Sequence, residues 1–439
     1  MSAAANGKIS LVEKPTAKDQ RMAVPRTSRI ESIDVIRGVV MVLMAIDHVR
    51  VYSGQPAGGP TAGIFLTRWI THFVAPAFIF LAGTSAFLHG RKLASRSALS
   101  RFLLTRGLWL VFLELTVLRV AWTFNFDFAH YLLAGVIWVI GWCMVLMAGL
   151  IYLPVRVLGV LGLAIIFGHN ITDFYSQSLY TALGTSHWAW LWQVLYFGGP
   201  IKIGANGPDL FVLYSIVPWI GVMAAGYSFG QVMTLEPARR RKICLALGTA
   251  AILLFLILRG FNLYGDPRPW SAPKPPAATQ TQTGAPQSAQ AAPSTAPKRP
   301  QTPAWISFLS TTKYPASLLF LLMTLGPALL ALPLLENASG PVAAVFKTFG
   351  RVPFFYYALH IPLIHFAAII VSLLRSGSVD HWLFLNHPVM IPPAPPQYLW
   401  SLGLLYLVWA IVVAVLYFPC RWFADYKQQH KDVGFLSYL

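Results

Sequence analysis

Apolar runs long enough to cross a bilayer recur along nearly the whole of this 439-residue chain, and no other feature restricts its fold as tightly. A helix needs roughly 20 mostly apolar residues to span the hydrocarbon core. Ten such runs are present, at 33–52, 64–88, 101–120, 130–152, 154–170, 210–231, 241–261, 314–335, 352–375 and 398–419. They are unbroken, rich in Leu, Ala and Gly, and mostly joined by short connections, which favours helices over the alternating strands of a membrane barrel. Hydrophobic residues make up 56% of the chain and charged ones only 11%, which argues against two or three ordinary soluble domains. The expected fold class is all-α, a polytopic membrane helix bundle of about ten transmembrane helices.

A net charge of +18 would suggest nucleic acid in a soluble protein, but its placement points elsewhere. Basic residues crowd the amino-terminal tail, the second connection (Arg91, Lys92, Arg96), the sixth (Arg239, Arg240, Arg241, Lys242) and the carboxyl tail (Arg421, Lys427, Lys431). By the positive-inside rule both termini are cytoplasmic, as an even number of spans requires. No nucleic-acid partner is expected; membrane lipid is. The chain divides into a basic, disordered cytoplasmic tail (1–30), a transmembrane domain (31–420) and a second cytoplasmic tail (421–439). The first helix lacks a convincing cleavage site and is read as retained, in an inner (plasma) membrane. Two outer connections are long. The segment "SHWAWLWQVLYFGG" suits the headgroup level, and 272–304, nearly free of large apolar side chains, is expected to be disordered. Cys143, Cys244 and Cys420 give neither a disulfide framework nor a metal spacing. A homodimer is compatible with a bundle of this size, with no residue to argue for it.

Function is written in the charges that these helices tolerate. The stretch "SIDVIRGVVMVLMAIDHVRVY" carries Asp34, Arg37, Asp47, His48 and Arg50, and ionisable groups inside a membrane are costly enough to be functional by default. Bland explanations compete. Arg50, Arg68 and Arg259 sit near helix ends and can snorkel; Asp34 with Arg37, and Asp47 with Arg50, can simply pair. Yet His48 follows Arg37 by eleven residues, roughly 16 Å of rise and almost three whole turns, so both project from one face. The same count places His72, Glu114 and His365, from three other helices, at a comparable depth, with Arg119 slightly above. Asp47, His48, His72, Glu114 and His365 are the candidate catalytic layer. Any one of the histidines is explained as a core residue; their convergence is not. Zinc is a poor fit, because His360 and His365 diverge by about 140° on a regular helix and neither HExxH nor CxxC occurs. No metal is expected.

Several stretches carry a resemblance: "RIESIDVIRGVVMVLMAIDHVR" (29–50), "RWITHFVAPAFIFLAGTSAFL" (68–88), "GDPRPW" (265–270), "FLSTTKYPASLLFLLMTLGPALL" (308–330), "FFYYALHIPLIH" (354–365) and "CRWFADYKQQHKDVGFLSYL" (420–439). They resemble bacterial multi-pass members of the heparan-α-glucosaminide N-acetyltransferase catalytic-domain family. The Arg37, Gly38 and His48 pattern also looks like the first helix of the wider group of membrane acyltransferases that decorate surface glycans, which use an intramembrane histidine. The resemblance implies transfer of an acetyl group from cytoplasmic acetyl-CoA, across the membrane, to a glycan or amino-sugar acceptor. The lysosomal enzyme has its acting histidine in the first non-cytoplasmic loop. The matching loop here, "SGQPAGGPTAG", has none, which leaves His48 or His72.

Acyl transfer needs a base or nucleophile, and donors for the oxyanion. Arg37, with Asp34 beside it, is expected at the nucleotide end of the donor, whose pantetheine arm follows the face toward His48. A carboxylate (Asp47 or Glu114) or a second histidine would orient the His48 ring. Asp266 and Trp270 of "GDPRPW", with Arg119 and His360, are the expected acceptor-binding residues. The rival is a transporter or flippase using the same buried charges for substrate or protons; it would move an intact solute without consuming acetyl-CoA. A purely structural subunit is the third reading.

Overall fold

The computed structural model describes residues 30–59, 61–184, 186–271, 302–430, 433 and 436. The expected disordered tail through residue 29, most of the low-complexity loop (272–301) and most of the stretch after residue 430 lie outside the described residues.

A helix lies at each of the ten apolar runs: α1 (Glu31–Tyr52), α2 (Ala62–Gly90), α3 (Arg96–Leu113), α4 (Val136–Leu150), α5 (Val155–Tyr175), α6 (Ile216–Thr234), α7 (Pro237–Gly260), α8 (Leu318–Leu334), α10 (Pro353–Ser376) and α11 (Leu402–Gln429), with a short α9 (Gly340–Arg351) before α10. Among the described residues, α2, α5, α6, α7, α10 and α11 are long and apolar enough to cross a membrane, while α4 and α8 are apolar but shorter. Local chemistry sets the boundaries. Ser95, Ser317 and Ser401 cap α3, α8 and α11 by accepting backbone N–H bonds from Ala98, Phe320 and Leu404. α10 opens on Pro353 and ends at Gly377, whose φ of 73° suits glycine.

Two spans differ from the sequence expectation. Residues 131–134, expected inside a helix starting at 130, form strand β1 (Tyr131–Ala134), and residues 209–212 form β3 (Asp209–Val212) ahead of α6. β1 pairs parallel with β3, and β2 (Gly199–Lys202) pairs antiparallel with it. A four-residue apolar run looks alike in a buried strand and in a helix, so periodicity could not separate them. The helix of α3 also continues, through a widened π turn (Glu114–Leu118), into Arg119–Thr123.

α1 threads the bundle, packed against α2, α8, α9, α10 and α11. Its crossing with α9 is backbone on backbone: a Cβ on Gly38 would overlap the carbonyl oxygen of Phe346, and one on Gly350 would overlap that of Asp34. Small residues permit such approach where apolar burial gives helices little reason to associate in lipid. At the Arg37 end of α1 the connections are short. The longer ones, the sheet and the exposed Trp188, Trp190 and Trp192 gather at the His48 end.

Candidate active site

His48 leaves α1 one turn before its end and meets α10. Its Nδ1 lies 2.6 Å from Nε2 of His360, with the rings stacked at 4.8 Å between centroids. His360 is fully buried, and its Nδ1 is 2.6 Å from the carbonyl oxygen of Tyr357. Carbonyls only accept, so His360 Nδ1 carries the proton and its Nε2 presents a lone pair. With both rings neutral, His48 must then donate from Nδ1, which leaves its Nε2 as the basic atom. The edge of Trp122, with ring centroids 4.8 Å apart, holds the other side of the ring. His48 itself is only half-buried.

The other catalytic candidates are near but differently engaged. Asp47 does not orient His48. It accepts from Arg50 Nε at 2.9 Å and from Arg68 Nη1. Arg50, 6% exposed, also binds the Gln55 carbonyl at 2.8 Å. These arginines therefore do not snorkel: Asp47 and backbone oxygens draw them inward, because a buried guanidinium left unpaired is costly. His72 packs edge-on against Phe320, centroids 5.4 Å apart, and Glu114 is buried beside the backbone of Gly135 and Ile137 at the start of α4. His365 is buried in an aromatic nest, stacked on Phe124 at 3.9 Å and Tyr52 at 4.6 Å. His360 and His365 leave α10 in different directions, one toward His48 and the other toward Phe124, although Pro362 lies between them in the helix.

Among the expected acceptor contacts, Arg119 is wholly buried and bound to the carbonyls of Tyr131 (3.1 Å) and Asn125 (2.5 Å). Asp266 accepts from the Thr312 backbone N–H (2.7 Å), the Thr312 hydroxyl (2.9 Å), the Arg268 N–H (3.0 Å) and the Ser317 hydroxyl (3.1 Å). Both are occupied pinning loops of the His48 end. Arg259 does likewise with the carbonyls of Ser307, Phe308, Arg268 and Ser310. Trp270 lies against Phe308, centroids 5.5 Å apart. His360, expected at the acceptor, instead contacts His48.

At the other end of α1, Arg37 donates to the hydroxyl of Ser85 and the carbonyl of Leu81 on α2 and lies 3.6 Å from Asp34. Beside it is a small apolar crevice between α1, α2 and α8, lined by Ile36, Ala77, Phe80, Leu81, Leu325 and Leu329. Arg37 and His48 both turn toward neighbouring helices. Lys313 and Tyr314 also reach this polar layer, acting electrostatically on Asp47. Neither was singled out from sequence, since a Lys-Tyr pair in a loop ahead of Pro315 carries no helical spacing by which depth is counted.

A family model described as "Heparan-alpha-glucosaminide N-acetyltransferase, catalytic" matches residues 29–263, more than half of the chain. It takes in Arg37, His48, His72 and Glu114 and stops short of Lys313 and His360. Among curated proteins none matches.

Proposed function

The chain belongs to the heparan-α-glucosaminide N-acetyltransferase catalytic-domain family, which makes it a membrane acetyltransferase, and from that premise we propose that it carries an acetyl group from cytoplasmic acetyl-CoA to an amino or hydroxyl group of a glycan-type acceptor on the outer face. The topology in this reading has ten crossings and both termini inside, in an inner membrane. The observation that carries it is the contact between His48 and His360, which leaves the second imidazole nitrogen of a half-buried His48 unprotonated.

In this reading the nucleotide end of the donor binds at the Arg37 end, where guanidinium groups suit phosphates, and the pantetheine arm follows the face of α1 toward His48. The acceptor comes from the opposite end. His48 Nε2 removes the proton as the acceptor oxygen or nitrogen attacks the thioester carbonyl. The tetrahedral oxyanion then collapses, the C–S bond breaks, and the departing thiolate takes the proton from the imidazolium. His360 keeps the His48 ring in the tautomer that this requires. His72 is a second base within the same layer.

The test is acetyl transfer by purified His48→Ala and Arg37→Ala proteins that retain wild-type melting. General-base loss is worth on the order of 10²- to 10⁴-fold, so His48→Ala falls by at least the lower figure, and Arg37→Ala raises KM for acetyl-CoA. Wild-type kinetics in both would remove the proposal.

A further inference from the structure

Four cations, Arg239, Arg240, Arg241 and Lys242, fall within the first six residues of α7, where the partial positive charge of a helix start opposes them. Arg240 is answered within the protein: it pairs with Glu336 beyond α8 and donates to the Leu235 carbonyl at 3.1 Å. Arg239, Arg241 and Lys242 are exposed and, among the described residues, have neither a hydrogen bond nor an ion pair, even with the nearby Glu236. Their counter-charge lies outside the chain.

The rest of α7 shows what lies there. Cys244, Gly248 and Phe255 are buried, and a Cβ on Gly248 would overlap Leu330 and the Gly326 carbonyl oxygen, so one face is committed to α8. The opposite face is bare. Arg239, Lys242, Ala246, Ala250, Leu253 and Ile257 follow one another at spacings of three or four residues, which puts them on a single stripe, and all six are exposed. Leu253 and Ile257 are 54% and 51% exposed. Below the two cations, Ala246 and Ala250 leave a shallow strip between Lys242 and Leu253, about 16 Å of rise, close to one leaflet of a hydrocarbon core roughly 30 Å thick. The similarly bare α5 starts with a single cation, Arg156.

This stripe begins at the Arg37 end of the bundle. Arg37 bonds to Ser85 of α2, and Gly230, near the close of α6, abuts Phe87 two residues further along α2. In the topology proposed above that end is cytoplasmic, where the leaflet surface is anionic.

We propose that the bare face of α7 is a binding site for one anionic phospholipid of that leaflet, its phosphate held between Arg239 and Lys242, one turn apart, and an acyl chain laid over Ala246, Ala250 and Leu253. Charge at the head and an apolar strip of leaflet length below it match such a lipid at both ends. The site is independent of acetyl transfer.

The experiment is native mass spectrometry of the detergent-purified full-length protein, given an equimolar mixture of phosphatidylglycerol and phosphatidylcholine with identical chains. The wild type should retain phosphatidylglycerol over phosphatidylcholine by about tenfold. The doubly substituted Arg239→Gln, Lys242→Gln protein should lose that preference, while Arg91→Gln, Lys92→Gln, which removes equal charge from another exposed connection, should keep it. An excess of glycerol phosphate or acetyl-CoA should not displace the lipid. Equal retention of the two lipids by the wild type overturns the assignment, as does a preference that survives the first substitution. Equal loss in both doubly substituted proteins would show diffuse charge and no site. Displacement by glycerol phosphate would make it a site for free phosphate, and displacement by acetyl-CoA would make it part of donor binding; either result overturns the lipid assignment.

Discussion

Nδ1 of His48 and Nε2 of His360 stand 2.6 Å apart, although 312 residues separate them in the chain. His360 is held in turn by the Tyr357 carbonyl, so a backbone oxygen on α10 fixes the proton pattern of a side chain on α1. In the proposed mechanism His360 is a positioning residue. His360→Ala should lower kcat by about 10²-fold with KM for acetyl-CoA little changed, and His360→Gln, which offers a replacement acceptor to His48, should recover part of it. Equal kcat in wild type and His360→Ala would show that the tautomer is set elsewhere.

Asp47 has the opposite status. It is adjacent to the proposed base yet is bound to Arg50 and Arg68. Removing one partner of a buried ionic group costs about 3–5 kcal/mol, so Asp47→Asn should melt far below wild type. Combining it with Arg68→Met should restore part of the loss, as seen by thermal unfolding in detergent. Unchanged melting with abolished transfer would instead make Asp47 part of the chemistry.

The crossing of α1 and α9 depends on glycine at residue 38. Gly38→Val inserts atoms where the Phe346 carbonyl already lies, and overpacking of this kind costs typically about 1–3 kcal/mol. Gly58, which faces open space, supplies the control, and Gly58→Ala should be neutral. A Gly38→Val protein as stable as the control would mean that the two helices separate without penalty.

Acid should destabilise the His48 end through His387. Its ring is buried in the loop after α10, with Nε2 donating to the Trp382 carbonyl at 3.1 Å, and burial pushes its pKa down to about 3. Below about pH 6.5 the unfolded chain takes up a proton that the folded chain refuses until much lower pH. Stability is therefore complete above pH 6.5 and falls as pH falls toward 3, by at most about 1.4 kcal/mol per unit from this group. His387→Gln should flatten the decline of Tm between pH 6.5 and 4; an identical decline would assign it to other groups.

How far the sequence showed this in advance depended on range. Apolar runs announce a helix at each of ten positions because lipid-compatible backbone must satisfy its own hydrogen bonds. The pairing of Asp47 with Arg50 follows from a spacing of one turn. Its pairing with Arg68, the partnership of His48 and His360, and the approach of Lys313 all depend on which helices adjoin, and no local spacing encodes that. Asp266 misled for the same reason: an acidic residue in a turn looks available until its four donors are seen. The strand at 131–134 was hidden by its own apolarity.

Reconstituted vesicles test the central claim most directly. Radiolabelled acetyl-CoA is supplied on the side of Arg37 and an amino-sugar or glycan acceptor on the other, with wild type and His48→Ala compared at equal incorporation. Label should cross to the acceptor with wild type and fall to background with His48→Ala, while free acetyl-CoA stays where it was added. Label that reaches the acceptor equally with both proteins, or acetyl-CoA that crosses intact, would contradict the account.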